Sequence, residues 1–225
     1  MRNKNLAIAL LAAVMPTIFV LCYFVFFPDP PLSRVFYGLS RAFFILVPAL
    51  WVMLVDKQPF PLPRFKADGM RVGIISGLAI SIAAISLYAN VFQNILPLDK
   101  VHAKAGQLGF GGGMFPLFAL FIIIANSTIE EYYWRWFGFA KLRAVMRPWP
   151  AIIVSALGFA LHHVVILVLF IGWPCGLFFG FSVGVGGGLW CWLYKRYDSI
   201  WPGWVSHAII DAAVMLIAFD MLFCR

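Results

Sequence analysis

The chain contains only two glutamates, Glu130 and Glu131, and they are neighbours in one apolar segment. Consecutive residues of a helix point about 100° apart, whereas residues four apart share a face. Glu131 is therefore expected to form an ion pair with Arg135. Glu130 has no basic residue three or four positions away. Because an unpaired carboxylate in a low-dielectric environment can take up and release a proton, Glu130 is the candidate general base.

Three of the four histidines also lie in apolar segments. His162 and His163 are adjacent and point apart, so we expect only one of them to face Glu130. We assign that position to His163, and we interpret His162 as a polar bystander. Phe159 precedes His163 by four residues and is expected to pack beneath its ring.

The last apolar segment contributes His207 and Asp211, which are four residues apart and share a helix face. An ionisable residue in a membrane span costs several kcal/mol and is a functional-site hypothesis by default. The concentration of glutamate, histidine and aspartate in apolar segments therefore predicts one convergent polar site.

The composition explains why such residues are informative. Of 225 residues, 63% are apolar and 12% are charged, and the mean hydropathy is +0.93. A soluble domain of this size cannot bury so many apolar side chains, and the composition disfavours a disordered chain or a nucleic-acid-binding protein. The sequence predicts an all-α, polytopic integral membrane protein, with the lipid bilayer as its surroundings and no nucleic acid partner.

Seven segments have the length and apolarity of a transmembrane helix. We treat residues 1–225 as a single membrane domain, with the site residues within 126–211 and no motif in the first three spans, 6–96. Between the third and fourth spans, His102 to Met114 is open to interpretation as a loop, an interfacial turn or a short re-entrant piece. The seven predicted spans are Leu6–Phe27, Val35–Val55, Met70–Leu96, Phe115–Trp136, Pro150–Ile171, Gly172–Tyr194 and Ile200–Phe223.

The net charge of +8 is interpreted as a topology signal, because Lys and Arg favour the cytoplasmic side. With a cytoplasmic N-terminus, 12 of the 17 basic residues fall on the cytoplasmic side: Arg2, Lys4, Lys57, Arg64, Lys66, Arg71, Arg135, Lys141, Arg143, Arg147, Lys195 and Arg196. The remaining five fall on the opposite side: Arg34, Arg41, Lys100, Lys104 and Arg225.

Glycine recurs at every fourth position from Gly172 to Gly188 in the sixth span. Small residues at this spacing let helix backbones approach closely, so the stripe is expected to pack against a helix that carries site residues.

These residues, in this order, resemble the CPBP family, which comprises CAAX proteases and bacteriocin-processing enzymes and is also called the Abi family. The family pattern is EExxxR, FxxxH and HxxxN or HxxxD. Here these motifs are Glu130-Glu131 through Arg135, Phe159 through His163, and His207 through Asp211.

The resemblance implies an intramembrane endopeptidase of the glutamic type. In such an enzyme Glu130 and His163 hold and activate a water molecule, and His207 with residue 211 stabilises the oxyanion. Asp211 would have to be protonated or to orient His207, because an ionised carboxylate repels an oxyanion. No cofactor is expected. The alternative is a metal such as Zn²⁺ bound by Glu130, His163, His207 and Asp211, although HExxH spacing is absent.

Two other classes of function are compatible with buried ionisable residues: a proton-coupled transporter and a non-catalytic membrane scaffold. The seven spans show no inverted repeat of the kind that many transporters have. Family members process prenylated CAAX tails, peptide leaders or C-terminal sorting tails. We expect a peptide or protein substrate, in maturation or sorting-tag removal, and a multi-pass location in a bacterial inner membrane.

Overall fold

The computed structural model describes residues 2–58, 65–107 and 113–225, and throughout these ranges the ordered elements are helices. Several of the long helices contain π-helical turns within otherwise α-helical segments. We number the helices α1 (Asn3–Phe26), α2 (Pro31–Val55), α3 (Met70–Phe92), α4 (Leu98–Gln107), α5 (Phe115–Arg143), α6 (Pro148–Ile171), α7 (Trp173–Tyr197) and α8 (Trp201–Cys224).

All of these helices except α4 are long and apolar enough to cross a membrane, which confirms the seven predicted spans. The largest difference is in α5, which continues to Arg143 rather than ending at Trp136. A π-helical segment, Glu131–Phe139, carries α5 past the predicted end. The basic segment that follows Gly138 is therefore the last part of α5 and its connection to α6.

Helix α4 occupies the first six residues of the segment whose structure the sequence left open, His102 to Met114. It begins at Leu98 and ends at Gln107, while residues 108–112, including two of the three consecutive glycines, lie outside the described residues. Val101 and Ala105 are buried. Val101 packs in a cluster with Tyr88 and Met221. The amphipathic helix therefore covers one end of α3 and α8.

The glycine stripe of α7 packs directly on α6, the helix of His162 and His163. A Cβ added to Gly176 would lie 2.6 Å from the backbone nitrogen of Val168, and one added to Gly180 would overlap Val164. The absence of side chains on α7 therefore brings the two helices to backbone contact. The expectation that the stripe faces a helix with site residues is confirmed.

The helices without motifs pack just as closely on the rest of the bundle. Gly73 and Gly77 of α3 lie against the backbone of α8, where a Cβ on Gly77 would be 3.0 Å from Ser206 Cα. On the other side, α1 contributes buried alanines, and the Ala12 carbonyl accepts a hydrogen bond of 2.8 Å from the Tyr133 hydroxyl. The first and third spans therefore hold α5 and α8 in place.

Most of the basic residues lie at one end of the helix bundle, and ion pairs connect the helices there. Lys141 forms an ion pair with Asp56, and Lys66 lies 3.5 Å from Asp198. Arg64, which the sequence places at this end, lies outside the described residues. Arg41 lies within the second predicted span, where it is half-buried in α2 and donates a hydrogen bond to Asn126 of α5.

The close approach of α6 and α7 makes a stability prediction. Gly176→Ala is expected to lower the free energy of unfolding by about 1–3 kcal/mol, because the new methyl group overlaps the immovable backbone of Val168. The measurement is reversible unfolding of the protein in detergent. Gly38→Ala in α2 is the matched control, since nothing lies within 4 Å of its added Cβ. Equal effects of the two substitutions would contradict this account of the packing.

Candidate active site

Glu130 and Glu131 lie where α5 changes from α-helical to π-helical turns. Ser127–Glu130 is α-helical, and the π-helical segment begins at Glu131. Short π-helical segments within α-helices occur frequently at functional sites. Both carboxylates are buried, and they point to different partners.

Glu131 is the centre of a buried charge network. Its Oε1 atom lies 3.0 Å from Arg135 Nη1, the contact predicted from their spacing, and 3.0 Å from His207 Nδ1. Glu131 and Arg135 are fully buried, and His207 is 3% exposed. Because a carboxylate accepts and does not donate, His207 donates its Nδ1–H to Glu131, and this fixes the ring orientation. Glu131 therefore orients His207. The sequence predicts the pairing of Glu131 with Arg135 but not this contact with His207.

Aromatic rings enclose this network. The Arg135 guanidinium carbon lies 4.5 Å from the ring centre of Phe159 and 4.8 Å from that of Trp190. Trp190 also stacks on His207, with ring centres 3.9 Å apart, and donates a hydrogen bond of 3.2 Å to Ser206. The rings exclude water and leave little room for His207 to rotate.

Glu130 lies on the other side of His207. Its Oε1 atom accepts a hydrogen bond of 3.0 Å from Asn126 Nδ2, and its Oε2 atom lies 3.6 Å from His207 Nε2. Asp211 Oδ2 is also 3.6 Å from this nitrogen and has no hydrogen-bond partner among the described residues. His207 Nε2 therefore has a carboxyl group on either side, and both lie beyond direct hydrogen-bonding distance.

His162 and His163 both approach Glu130. One ligand atom from each of the three residues can be chosen so that all lie within 4.8 Å of one another. His163 Nδ1 lies 2.9 Å from the Phe159 carbonyl, which can only accept, so this nitrogen carries the proton and Nε2 offers a lone pair. Phe159 contacts the His163 ring at 4.6 Å, as its spacing predicts.

His162 is closer to this group than its interpretation as a bystander required. Its ring stacks parallel to Trp134, with centres 5.6 Å apart, and its Nδ1 lies 3.4 Å from the Gly158 carbonyl. The expectation that only one of the two histidines approaches Glu130 does not match this geometry. The rings of adjacent residues diverge, yet both reach the same carboxylate from α6.

The structure therefore brings together every residue that the sequence singled out, and it adds three that sequence reasoning missed. From the sequence, Arg41 is interpreted only as part of the topology signal, and Asn126 and Trp190 are given no role. The available signal for Asn126 was its position four residues before Glu130 on the same helix face. No comparable signal identifies Arg41, because its contact joins residues 85 positions apart.

A family comparison agrees with this arrangement. Residues 112–213 match the model of a family described as Type II CAAX prenyl endopeptidase Rce1-like. The matched range contains the site residues from Glu130 to Asp211. The matched segment makes up just under half of the 225 residues, and within it the chain is similar to this CAAX protease family. Neither the curated proteins nor the solved structures give a significant match to the chain.

The residues that could hold a metal differ from the set expected from sequence. The described residues gather Glu130, His162 and His163, rather than a set of four that includes His207 and Asp211. Two histidines and one carboxylate form a known ligand set for catalytic zinc. Ligands of a tetrahedral zinc ion lie about 3.3–3.5 Å apart, so the present separations of up to 4.8 Å would have to contract.

The buried charge network makes a second stability prediction. Arg135→Leu is expected to lower the free energy of unfolding by about 3–5 kcal/mol, because it leaves the carboxylate of Glu131 buried without its cation. The measurement is reversible unfolding in detergent. Arg34→Leu in α2 removes the same charge at an exposed position and serves as the control. A loss no larger than that of the control would show that the pair does not stabilise the fold.

Proposed function

We propose that the chain is an intramembrane endopeptidase in which Glu130 activates a water molecule for attack on a peptide bond. The family match supports the class of reaction. The burial of Glu130, His162 and His207 inside helices that are apolar enough to span a membrane supports a substrate that reaches the site at or within the bilayer.

The observation that carries the proposal is the separation of Glu130 and His163. Their polar atoms lie within 4.8 Å of each other, and one water molecule that donates both hydrogens, with hydrogen bonds of about 2.8 Å at an angle of about 105°, bridges atoms about 4.4 Å apart. The water donates one hydrogen to the Glu130 carboxylate. It donates the other to His163 Nε2, the nitrogen that the Phe159 carbonyl leaves unprotonated. Both partners accept, as holding a nucleophilic water requires.

The reaction then balances without a further reactant. The water oxygen bonds to the scissile carbonyl carbon while Glu130 takes the proton that the water loses. The carbonyl oxygen becomes an oxyanion. When the carbon–nitrogen bond breaks, Glu130 returns the proton to the leaving amine, and the new carboxylic acid keeps the water oxygen with its second hydrogen, which it then loses to become a carboxylate.

His207 is proposed to stabilise the oxyanion from Nε2. Because its Nδ1–H is held by Glu131, donation from Nε2 requires a protonated ring, and the neighbouring carboxyl groups of Glu130 and Asp211 favour that charge. A neutral, protonated Asp211 would add a donor beside it, whereas an ionised Asp211 would stabilise the imidazolium. In either protonation state Asp211 interacts with the Nε2 side of the His207 ring, where the oxyanion is proposed to bind.

The proposed substrate is a peptide or protein whose cleavage site enters the membrane from a terminal tail. The family description names a CAAX prenyl endopeptidase, and we propose for this chain the related removal of a leader or a C-terminal sorting tail in a bacterial inner membrane. Either substrate places a short polar end next to an apolar anchor.

The decisive experiment replaces Glu130 with Gln. Protein reconstituted in liposomes is incubated with quenched fluorescent peptides, one ending in a farnesylated CAAX sequence and one ending in an apolar helix with a basic tail. Glu130→Gln is expected to lower kcat about 10²–10⁴-fold, because it removes the general base and keeps the shape of the side chain. In water enriched with oxygen-18, the new carboxylate should acquire one labelled oxygen.

Asp29→Asn neutralises an exposed carboxylate before α2 and is the matched control, with unchanged cleavage expected. Cleavage by Glu130→Gln at the rate of this control would refute the proposed base. Substrate flux across the liposome without hydrolysis would instead favour a transporter.

The grouping of Glu130, His162 and His163 also allows a metal-dependent form of the same reaction, and His162 separates the two forms. His162→Phe keeps a ring against Trp134 but removes both nitrogens. We expect kcat within about threefold of the unmodified protein, because the proposed water requires only Glu130 and His163. Loss of hydrolysis in this variant, together with loss on dialysis against a chelator and recovery with Zn²⁺, would establish the metal-dependent form instead.

A further inference from the structure

We infer that Arg41 of α2 is a positioning residue for Glu130 and acts through the side-chain amide of Asn126. The inference rests on the proposed function, because it concerns the residue that orients its general base. Arg41 lies outside residues 112–213, so it belongs to a part of the chain that the family match does not cover.

The hydrogen bonds of Arg41 and Glu130 allow only one orientation of the Asn126 side-chain amide. Arg41 Nη1 lies 2.6 Å from Asn126 Oδ1, and Asn126 Nδ2 lies 3.0 Å from Glu130 Oε1. A guanidinium only donates and a carboxylate only accepts, so the amide oxygen must face Arg41 and the amide nitrogen must face Glu130. Arg41 therefore fixes the one orientation of Asn126 in which the amide donates to the base.

Without Arg41 the amide loses this constraint. A flipped Asn126 would present its oxygen to Glu130, and two acceptors would face each other in a site of low dielectric constant. The carboxylate would then turn from its present position, in which Oε1 is occupied by the amide and Oε2 faces His207. The base would no longer be held in line with the water between it and His163.

Arg41 is itself held in place. Its guanidinium carbon lies 5.0 Å from the ring centre of Tyr37 and 5.1 Å from that of Phe44. These cation–π contacts limit the motion of a long side chain. Because both rings belong to α2, the position of this helix fixes Arg41 and, through Asn126, the orientation of Glu130.

Among the residues that the structure describes, no carboxylate forms an ion pair with Arg41; its guanidinium donates to the Asn126 amide and also interacts with the Tyr23 hydroxyl. A cation within a span is costly unless it interacts with polar or charged groups. The carboxylate of Glu130 is linked to Arg41 through the side-chain amide of Asn126, and the two charges attract each other. A purely structural arginine would be expected to pair with a carboxylate directly, as Arg135 does with Glu131.

The test uses the same liposome assay and peptides. Arg41→Met is expected to lower kcat about 10- to 100-fold, with KM within about threefold, because the base is misoriented and substrate binding is unaffected. Arg41→Lys keeps a charged donor and should recover most of kcat. Arg34→Met removes the same charge from an exposed position on α2 and should leave both constants unchanged.

A double-mutant cycle tests the route through the amide. Asn126→Ala removes the link, so adding Arg41→Met to it should lower kcat by no more than about twofold further. Independent, multiplicative losses would overturn the inference, as would unchanged kcat in Arg41→Met or a rise in KM alone. If Arg41→Met does not fold, unchanged kcat in Asn126→Ala, or no activity in a folded Arg41→Lys, overturns it.

Glu130→Gln separates this inference from the proposed function. Loss of hydrolysis in Glu130→Gln with normal kcat in Arg41→Met would retain the proposed base and reject Arg41 as its positioning residue. Normal hydrolysis in Glu130→Gln would reject both.

Discussion

The ion pair of Glu131 and Arg135 is the interaction on which the rest of the site depends. Two opposite charges removed from water must satisfy each other, and here they do so at 3.0 Å inside a bundle of apolar helices. Since Glu131 also accepts from His207, a contact between helices α5 and α8 is built into the same charge balance. The site can form only when both helices are packed as observed.

The aromatic and glycine residues make this arrangement possible for different reasons. Phe159 and Trp190 cover the guanidinium of Arg135 and exclude water, which strengthens the electrostatic interactions inside. Glycine on α7 and α3 shortens the distances between helices, so that short side chains such as Asp and Ser reach across them. Packing and electrostatics are therefore mutually dependent in this fold.

Much of the helical framework could be predicted, because apolar length and local spacing act within one helix. The seven spans, the contact of Glu131 with Arg135 and that of Phe159 with His163 all follow from such local rules. Contacts between distant helices could not be predicted in this way. The bond between His207 and Glu131 joins residues 76 positions apart, and nothing in either helix alone indicates it.

The position of Gly203 at the start of α8 restricts how such a site can diversify. A Cβ there would lie 2.8 Å from Glu131 Oε2, so even the smallest side chain would press on the charge network. Any side chain at this position would therefore displace the carboxylate that holds both Arg135 and His207. The residues of α6 beyond His163 are restricted as well, since Val164 and Val168 lie against the glycines of α7. Small residues therefore limit substitution both at the charge network and at the contact between α6 and α7.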